Sequence, residues 1–515
     1  MSQLNQEPCF LGIDAGTTSL KAALYTADGR LLAQGQEEYS LLTPGPGIVE
    51  MAAEVYWQAC CRAVAAALAA GGIRPQQVAA LAVASQGETL IPVDAQGRPL
   101  RRAIVWLDSR AVAEAAHIAE RFDRETVYHV TGQVAVVPTW PACKIAWLRD
   151  HEPDVFGRSA IYLLLADYLL YRLTGQYVTD YSLTVSSLLL DIQAKRWWQP
   201  MLDCVGLGAG QLPRLVEPGQ ALGQLSREGA EATGLRQDTV AVAGGLDQVV
   251  GALGAGNATP GLVTEMTGGA LAIVATLDRP RFDPGRRVPC HYHARPDTYC
   301  LLPWGQTAGM ALRWFRDRFF AAEMAAAPGA NLYDEMTARA ARVAPGCDGM
   351  VMLPHLEGAA CPENNPSARA VFYGATLSQT RDHFTRAILE AVAYMLRRNL
   401  ELVEGLGASI AEVRSIGGGA ASPLWLQIKA DVLQKPVRTV ASKEVACLGA
   451  AMLAATGAGR FADLDEANRV MVQLGGIVEP TPAHAGIYQA AYEQYCELYE
   501  RLAPTFRPGI GATHE

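Results

Sequence analysis

No stretch of this 515-residue sequence is apolar for long enough to cross a bilayer, since segments such as Ile161 to Leu173 are interrupted by Asp167 and Arg172. There is no CxxC spacing. The eleven cysteines, an odd number, stand singly or as the pair Cys60-Cys61, which argues against a disulfide framework and against a cysteine zinc site. Charge is scarce as well: 18% of residues are charged and half are hydrophobic, the balance of a compact core rather than a disordered chain. The formal net charge of −9 lacks the positive excess that a general affinity for nucleic acid or anionic membranes requires. Anions can still be held locally by helix N-termini and loop amides. The segment Met1 to Cys9 is polar, without the basic start and apolar stretch of a secretory signal, so cytoplasmic residence is expected and the sequon Asn257-Ala258-Thr259 is read as a chance match. Also missing are a GxxxxGK[ST] phosphate loop, a GxSxG elbow and an HExxH metal helix. His291 and His293 are spaced as strand neighbours, and two histidines alone make a poor metal site, so surface or packing roles are expected for them.

What is present reads as α/β. A length of 515 residues exceeds one hydrophobic core and predicts two large domains. Phe10 to Asp14 is a short apolar run closed by an acidic residue and the turn Gly16 to Thr18. Leu20 to Thr26 follows as a second β-prone run, with Asp28-Gly29 as a hairpin turn before Leu31. Glu50 to Ala70 predicts an alanine-rich amphipathic helix, and Val78 to Ser85 a buried strand. A similar strand-turn-strand returns at Leu262 to Thr264, Met266 to Gly269 and Ala270 to Thr276. Two related halves are therefore expected to meet near residues 256 to 262, giving domains 1–256 and 257–515. Ile487 to Leu502 predicts a closing amphipathic helix, followed by loose terminal residues.

Three segments carry residues fit for chemistry. In Asp14-Ala15-Gly16-Thr17-Thr18, a glycine turn between strands lets amides approach a polyphosphate, and the aspartate could hold magnesium. The same residues would also make a plain hairpin capped by Asp14. Asp247 stands between the strand-like run Val240 to Gly245 and a helix beginning near Gln248, where a carboxylate serves either as a general base or as a helix cap, or as both. The run Ser415 to Ser422 holds Gly417, Gly418 and Gly419 after an apolar strand, and reads either as bare backbone for a nucleotide or as a tight connection.

In this order the segments resemble the FGGY family of carbohydrate kinases over nearly the whole chain. The opening Gly12 to Ser19 is similar to the family's phosphate loop. Thr139 to His151 resembles its lysine signature, with Pro141, Lys144, Ile145, Trp147, Leu148 and His151 in place and Thr139 as a departure. Ala370 to Glu390 resembles the second signature through Phe372, Gly374, His383, Phe384, Ala387, Ile388, Leu389 and Glu390, with Ala375 as a departure. The resemblance implies two RNase H-like domains of the actin, hexokinase and Hsp70 superfamily, with a catalytic cleft between them. It implies Asp247 as general base and Asp14 as the carboxylate associated with Mg2+. Gly16, Thr17, Thr18, Thr267, Gly268, Gly309, Gly418, Gly419 and Ala420 are the implied contacts to ATP or its phosphates, with Met266 standing where a glycine is frequent. By analogy a homodimer is the expected assembly.

The implied acceptor site comprises Gln86, Gly87, Glu88, Thr139, Trp140, Asp247 and Gln248. Glu88-Thr89 keeps half of the glycerol-kinase pattern, but Gly87 stands where those enzymes carry arginine and Thr139 where an aromatic packs the triol. Losing a bidentate donor and a wall disfavours a three-carbon ligand and suits a pentulose such as xylulose or ribulose, with glycerol or another polyol as the alternative. Trp140 could rebuild the wall or pack in the core. Glu88 could bind two hydroxyls or pair with Arg101 or Arg102, and Asp108 with Arg110 reads as a structural pair. An ATP-driven interaction protein of the same superfamily is the competing class.

Overall fold

The apolar run around Ile13 becomes the first strand of a six-stranded sheet in the computed structural model, which describes residues 7–326, 329 and 331–507. Its strands are β1 (Cys9–Ala15), β2 (Ser19–Thr26), β3 (Leu31–Glu38), β4 (Val78–Ser85), β5 (Ala221–Gln224) and β6 (Val240–Leu246), in the order β5-β6-β4-β1-β2-β3. β1 runs parallel to β4, and β4 parallel to β6, while β1, β2 and β3 form an antiparallel meander. The three parallel strands are almost wholly buried, the usual reason such strands read as continuous apolar runs. Their carboxyl ends carry Asp14, Ser85 and Leu246, and Asp247 opens the next helix, Asp247–Gly254. Late in the chain, the helix Val445–Gly457 returns to pack on this sheet and on that helix. The approach needs glycine at two points. A Cβ on Gly12 would lie 1.8 Å from the Cys447 carbonyl oxygen, and one on Gly449 would lie 1.9 Å from that of Val250.

The predicted helix from Glu50 instead begins at Ala53. Ile48–Met51 pairs as a strand with Ala103–Ile104, and the Glu50 carboxylate is drawn into a buried cluster with Arg101 and Arg110.

A second unit repeats the hairpin-plus-parallel-strand plan. Its strands β7 (Leu262–Thr267), β8 (Leu271–Leu277), β9 (Trp304–Gly305), β10 (Glu412–Ile416), β11 (Val437–Val440) and β12 (Leu474–Val478) run β8-β7-β10-β11-β12, with β9 on the far side of β8. β7 and β8 are antiparallel, and β10 lies parallel to both β7 and β11. The β7–β8 turn begins later than expected, because Met266 and Thr267 still pair with Ala272 and Leu271. The helix Ala485–Leu502 closes the described chain, and the loose residues expected after it lie largely outside the described residues. By contacts the first unit takes the chain to Ala258, then Thr276–Cys300 and Glu444–Gln473; the second takes Thr259–Ala275, Leu301–Lys443 and the chain from Leu474. Among the described residues no helix is long and apolar enough to cross a membrane.

Candidate active site

The carboxyl ends of parallel strands are where side chains leave an α/β sheet and ligands gather, and the first unit places three carboxylates there. Asp14, opposite Lys21 in the β1–β2 register, keeps a buried Oδ1 that has no hydrogen-bond partner among the described residues. Burial pushes its carboxyl up to about 6; Lys21 pulls it down and Glu444 pushes it further up. Lys21 itself is paired with Glu444 at 2.7 Å. Asp247, partly exposed, accepts the Gln248 backbone N–H on Oδ1 at 2.7 Å, while Gln248 is exposed. Loss of water around Asp247 pushes its carboxyl up to about 8, and the negative charges of Asp14 and then Glu88 add to the rise. Asp247 is the first residue of its helix, whose cap is Leu246 without a side-chain bond. A network holds the turn before it: Leu246 N–H donates to Ser182 Oγ at 3.1 Å, and the Ser182 hydroxyl donates to Asp180, which also accepts the backbone N–H groups of Ser182 and Leu183.

The third carboxylate belongs to Glu88, which holds the left-handed backbone conformation at φ 54° that non-glycine residues avoid. Its pKa is raised by burial, with the Ser186 hydroxyl and the Lys144 charge acting in the opposite direction. Neither expected arginine reaches it: Arg101 pairs with Glu50 and Glu152, and Arg102 with Glu50. Asp108 and Arg110 do form their structural pair, at 2.7 Å. Gln86 is buried; its Nε2 donates to Thr89 Oγ1 at 3.2 Å, and its Oε1 has no partner among the described residues. A side chain at Gly87 would press on Leu246 Cδ1 and Ser186 Oγ, at 3.1 and 3.2 Å from its Cβ. Trp140 packs against the cluster that includes Ala142, Ile145 and Leu189, and its indole N–H donates to the Ala135 carbonyl at 2.9 Å. Thr139 is partly buried in the turn before the helix Pro141–His151.

In the segment Gly16 to Ser19, the Gly16 N–H is spent on the Ser19 carbonyl (3.0 Å) and the Gly16 carbonyl accepts the Tyr39 hydroxyl (2.6 Å). The Thr17 hydroxyl accepts the Trp106 indole N–H at 3.0 Å, which leaves its own proton for a ligand, and the Thr18 carbonyl accepts the Tyr39 N–H. His291 and His293 are both buried, not surface residues: His291 meets Gln133 at 3.0 Å, and burial lowers the pKa of both to about 3.

The second unit contains a cavity of about 350 Å³ whose lining includes Thr267, Gly268, Gly309, Gly418 and Gly419 together with Asn331, Tyr333 and Trp425. Ala421 and Ser422 line it, and Ala420 does not. Gly309 begins the helix Gly309–Phe319 and donates its N–H to the Gly268 carbonyl at 3.0 Å. Beneath the glycines lies a wholly buried pair, Lys429 and Glu265, at 2.6 Å. Lys429 Nζ also donates to Thr267 Oγ1 (3.0 Å), and the Thr267 hydroxyl donates to Glu265 Oε2 (2.7 Å). The proton of that hydroxyl is therefore committed inward, and Thr267 offers a ligand its backbone and its oxygen.

Two family models match this sequence in order: the N-terminal domain of the FGGY family of carbohydrate kinases over residues 9–254, and its C-terminal domain over 267–458. The chain belongs to the FGGY family of carbohydrate kinases. It is a phosphotransferase with an alcohol as acceptor, on the two-domain α/β fold of the actin-like ATPases, and kinases of this family use ATP. Among curated proteins it is similar to the xylulose kinase of Bacillus subtilis (strain 168), 29% identical over 95% of this chain and 96% of that one. The gluconokinase of the same organism is 30% identical over 96% and 94%. The crystal structure of xylulose kinase from Rhodospirillum rubrum superposes with a TM-score of 0.88 at 29% identity, covering 97% of this chain and 99% of that one.

For an FGGY kinase, then, the first unit gathers Asp14, Gln86, Glu88 and Asp247 around one strand-end region, and the second gathers Thr267, Gly268, Gly309, Gly418 and Gly419 around one cavity. Trp140 turns to packing instead. Sequence reasoning missed Lys429, Glu265 and the Trp106–Thr17 bond. Glu265 and Lys429 are 164 positions apart, and no local pattern signals a pair at that separation.

Proposed function

We propose that this FGGY kinase transfers the γ-phosphate of magnesium-ATP to a neutral small sugar, a pentulose such as xylulose. The observation that carries the choice is the group of three carboxylates, Asp14, Glu88 and Asp247, with Asp247 pushed up mainly by burial and further by the charges of the other two. The xylulose kinase and gluconokinase relatives differ in acceptor charge, since gluconate is an anion and xylulose is not. A negative charge on the acceptor about 5 Å from any ionised member of the group would cost roughly 3 kcal/mol at an effective dielectric of 20. Lys144 and Lys21 offset part of this charge, but both are already engaged: Lys144 is wholly buried with its ammonium on two carbonyls, and Lys21 is tied to Glu444.

In the reaction, Asp247 takes the proton of the acceptor hydroxyl as its oxygen bonds to the γ-phosphorus and the bond to the bridging oxygen breaks, releasing ADP. Glu88 and Gln86 hold neighbouring hydroxyls, and Gln248, exposed beside the base, is a further contact. Thr139 completes the acceptor rim. The Thr17 hydroxyl and the amides of Gly418 and Gly419 serve the phosphates, while Gly268, whose N–H is taken by the Ala270 carbonyl, lines the second unit's cavity that takes the nucleotide. The residues fit magnesium that arrives with ATP: Asp14 Oδ1 is a buried oxygen without a protein partner, and no cluster of three or more ligating side chains exists among the described residues. Such an ion takes one or two carboxylates, water and substrate phosphates, and neutralises charge on the phosphates. Cytoplasmic residence is part of the same reading.

A coupled ADP-release assay over xylulose, ribulose, hexuloses, pentitols, glycerol and gluconate tests it. The expected result is the highest kcat/KM for a pentulose, with gluconate lower by more than a factor of ten; a clear preference for gluconate or glycerol would reject the acceptor assignment.

A further inference from the structure

The lysine of the chain's mid-sequence signature has no role in the chemistry described so far, yet it is among the most deeply buried charges in the first unit. Lys144 is 0% exposed. Its ammonium donates to the backbone carbonyl of Glu88 and to that of Val105, both at 2.9 Å. Burial pulls its pKa down to about 7, and the carboxylates of Glu88 and Asp108 pull it back up. A charged group in such a place is costly unless its hydrogen bonds are made to strong acceptors, and a lysine used only to fill the core would be outdone by methionine or leucine.

The two carbonyls are informative because of what they carry. The Glu88 carbonyl belongs to the residue in the left-handed conformation, a state that persists only where its surroundings impose it. Val105 precedes Trp106, whose backbone N–H donates to Thr89 Oγ1 and whose indole N–H donates to Thr17 Oγ1. The Gln86 N–H completes the frame on the Ala15 carbonyl, one residue from Asp14. One ammonium thus joins the acceptor loop to the segment that orients the phosphate-loop threonine.

We infer that Lys144 is a positioning residue for acceptor recognition: it clamps the Glu88 carbonyl in the strained turn, and so fixes the place from which the Glu88 carboxylate meets the sugar hydroxyls. The inference rests on the proposed acceptor role of Glu88.

The test uses the full-length protein with D-xylulose and magnesium-ATP, comparing Lys144→Met, Lys144→Gln, Glu88→Gln and the double variant Lys144→Met/Glu88→Gln. Two hydrogen bonds from a charged donor are lost in Lys144→Met, so its KM for xylulose should rise about tenfold or more, while KM for ATP stays within about twofold. Lys144→Gln, which keeps an N–H donor, should recover part of the loss. The double variant should be hardly worse than Glu88→Gln alone, because both changes remove one interaction. Amide exchange should quicken in residues 86–90 ahead of the rest of the unit.

Unchanged xylulose KM in Glu88→Gln would sink the acceptor reading itself. A raised KM in Glu88→Gln with an unchanged one in Lys144→Met would overturn the present inference alone. So would equal rises in both KM values, or the failure of both Lys144 variants to fold, since either result would assign the lysine to the core.

Discussion

At the scale of single residues, the carboxyl of Asp247 sets the strongest expectations. Replacing it with asparagine keeps the shape and removes the proposed base, so turnover with xylulose should fall by about 10²–10⁴-fold while ATP binding persists. Retention of more than about a tenth of the rate would remove Asp247 from the base role. The pH profile follows from the same group. A base must be unprotonated, and Asp247 is pushed up to about 8, so kcat/KM for the acceptor should rise with pH through about 8 and level off above it. A flat profile from pH 6 to 9 would contradict the assignment. Stability should move the opposite way. The folded state holds the proton more tightly than the unfolded chain, whose aspartate titrates near 3.8, so this contribution is complete below about pH 4 and is lost as pH rises through about 8. Urea midpoints of Asp247→Asn should therefore decline less than those of the parent between pH 5 and 8. Position 247 itself was legible, because an aspartate between a glycine-ended apolar run and a helix projects from a strand end. Its interaction with Asp14 and Glu88 was not, since these residues come from three separate strand ends that only the parallel β1, β4 and β6 register brings together.

At the scale of elements, two contacts hold the site-bearing pieces in place. The helices Asp247–Gly254 and Val445–Gly457 touch backbone to backbone at Gly449, where a Cβ would meet the Val250 carbonyl oxygen at 1.9 Å. Gly449→Ala should cost about 1–3 kcal/mol of stability and displace the start of the helix carrying Asp247, to be read from the urea midpoint together with kcat. An alanine variant with parental stability and rate would show that this contact positions nothing. In the second unit, Lys429→Met strands the buried Glu265 carboxylate and frees the Thr267 hydroxyl from its ammonium donor. A loss of about 3–5 kcal/mol is expected, read by denaturation of the second unit, with a raised KM for ATP in whatever remains folded. Strands and hairpins were visible in the sequence because buried parallel strands are continuous apolar runs and turns carry glycine. The start of the first long helix was misplaced because Glu50 looks helix-forming locally, and only the distant Arg101 and Arg110 reveal why it sits in a strand.

At the scale of the whole molecule, the repeated hairpin-plus-parallel-strand plan could be read from the paired runs at Phe10 and Leu262. The return of Glu444–Gln473 to the first unit could not, because an apolar helix such as Val445–Gly457 carries no mark of the sheet it will cover. The central claim is that the chain's ATP chemistry ends on a sugar hydroxyl beside Asp247, and not on water or in a conformational cycle alone. The most direct measurement is a single-turnover reaction with γ-labelled ATP and D-xylulose, resolving phosphosugar from inorganic phosphate. The account predicts label in a sugar phosphate, one for each ADP formed, and almost none in Asp247→Asn protein that still binds ATP. Label released mainly as inorganic phosphate, or transferred undiminished by the asparagine variant, would contradict it.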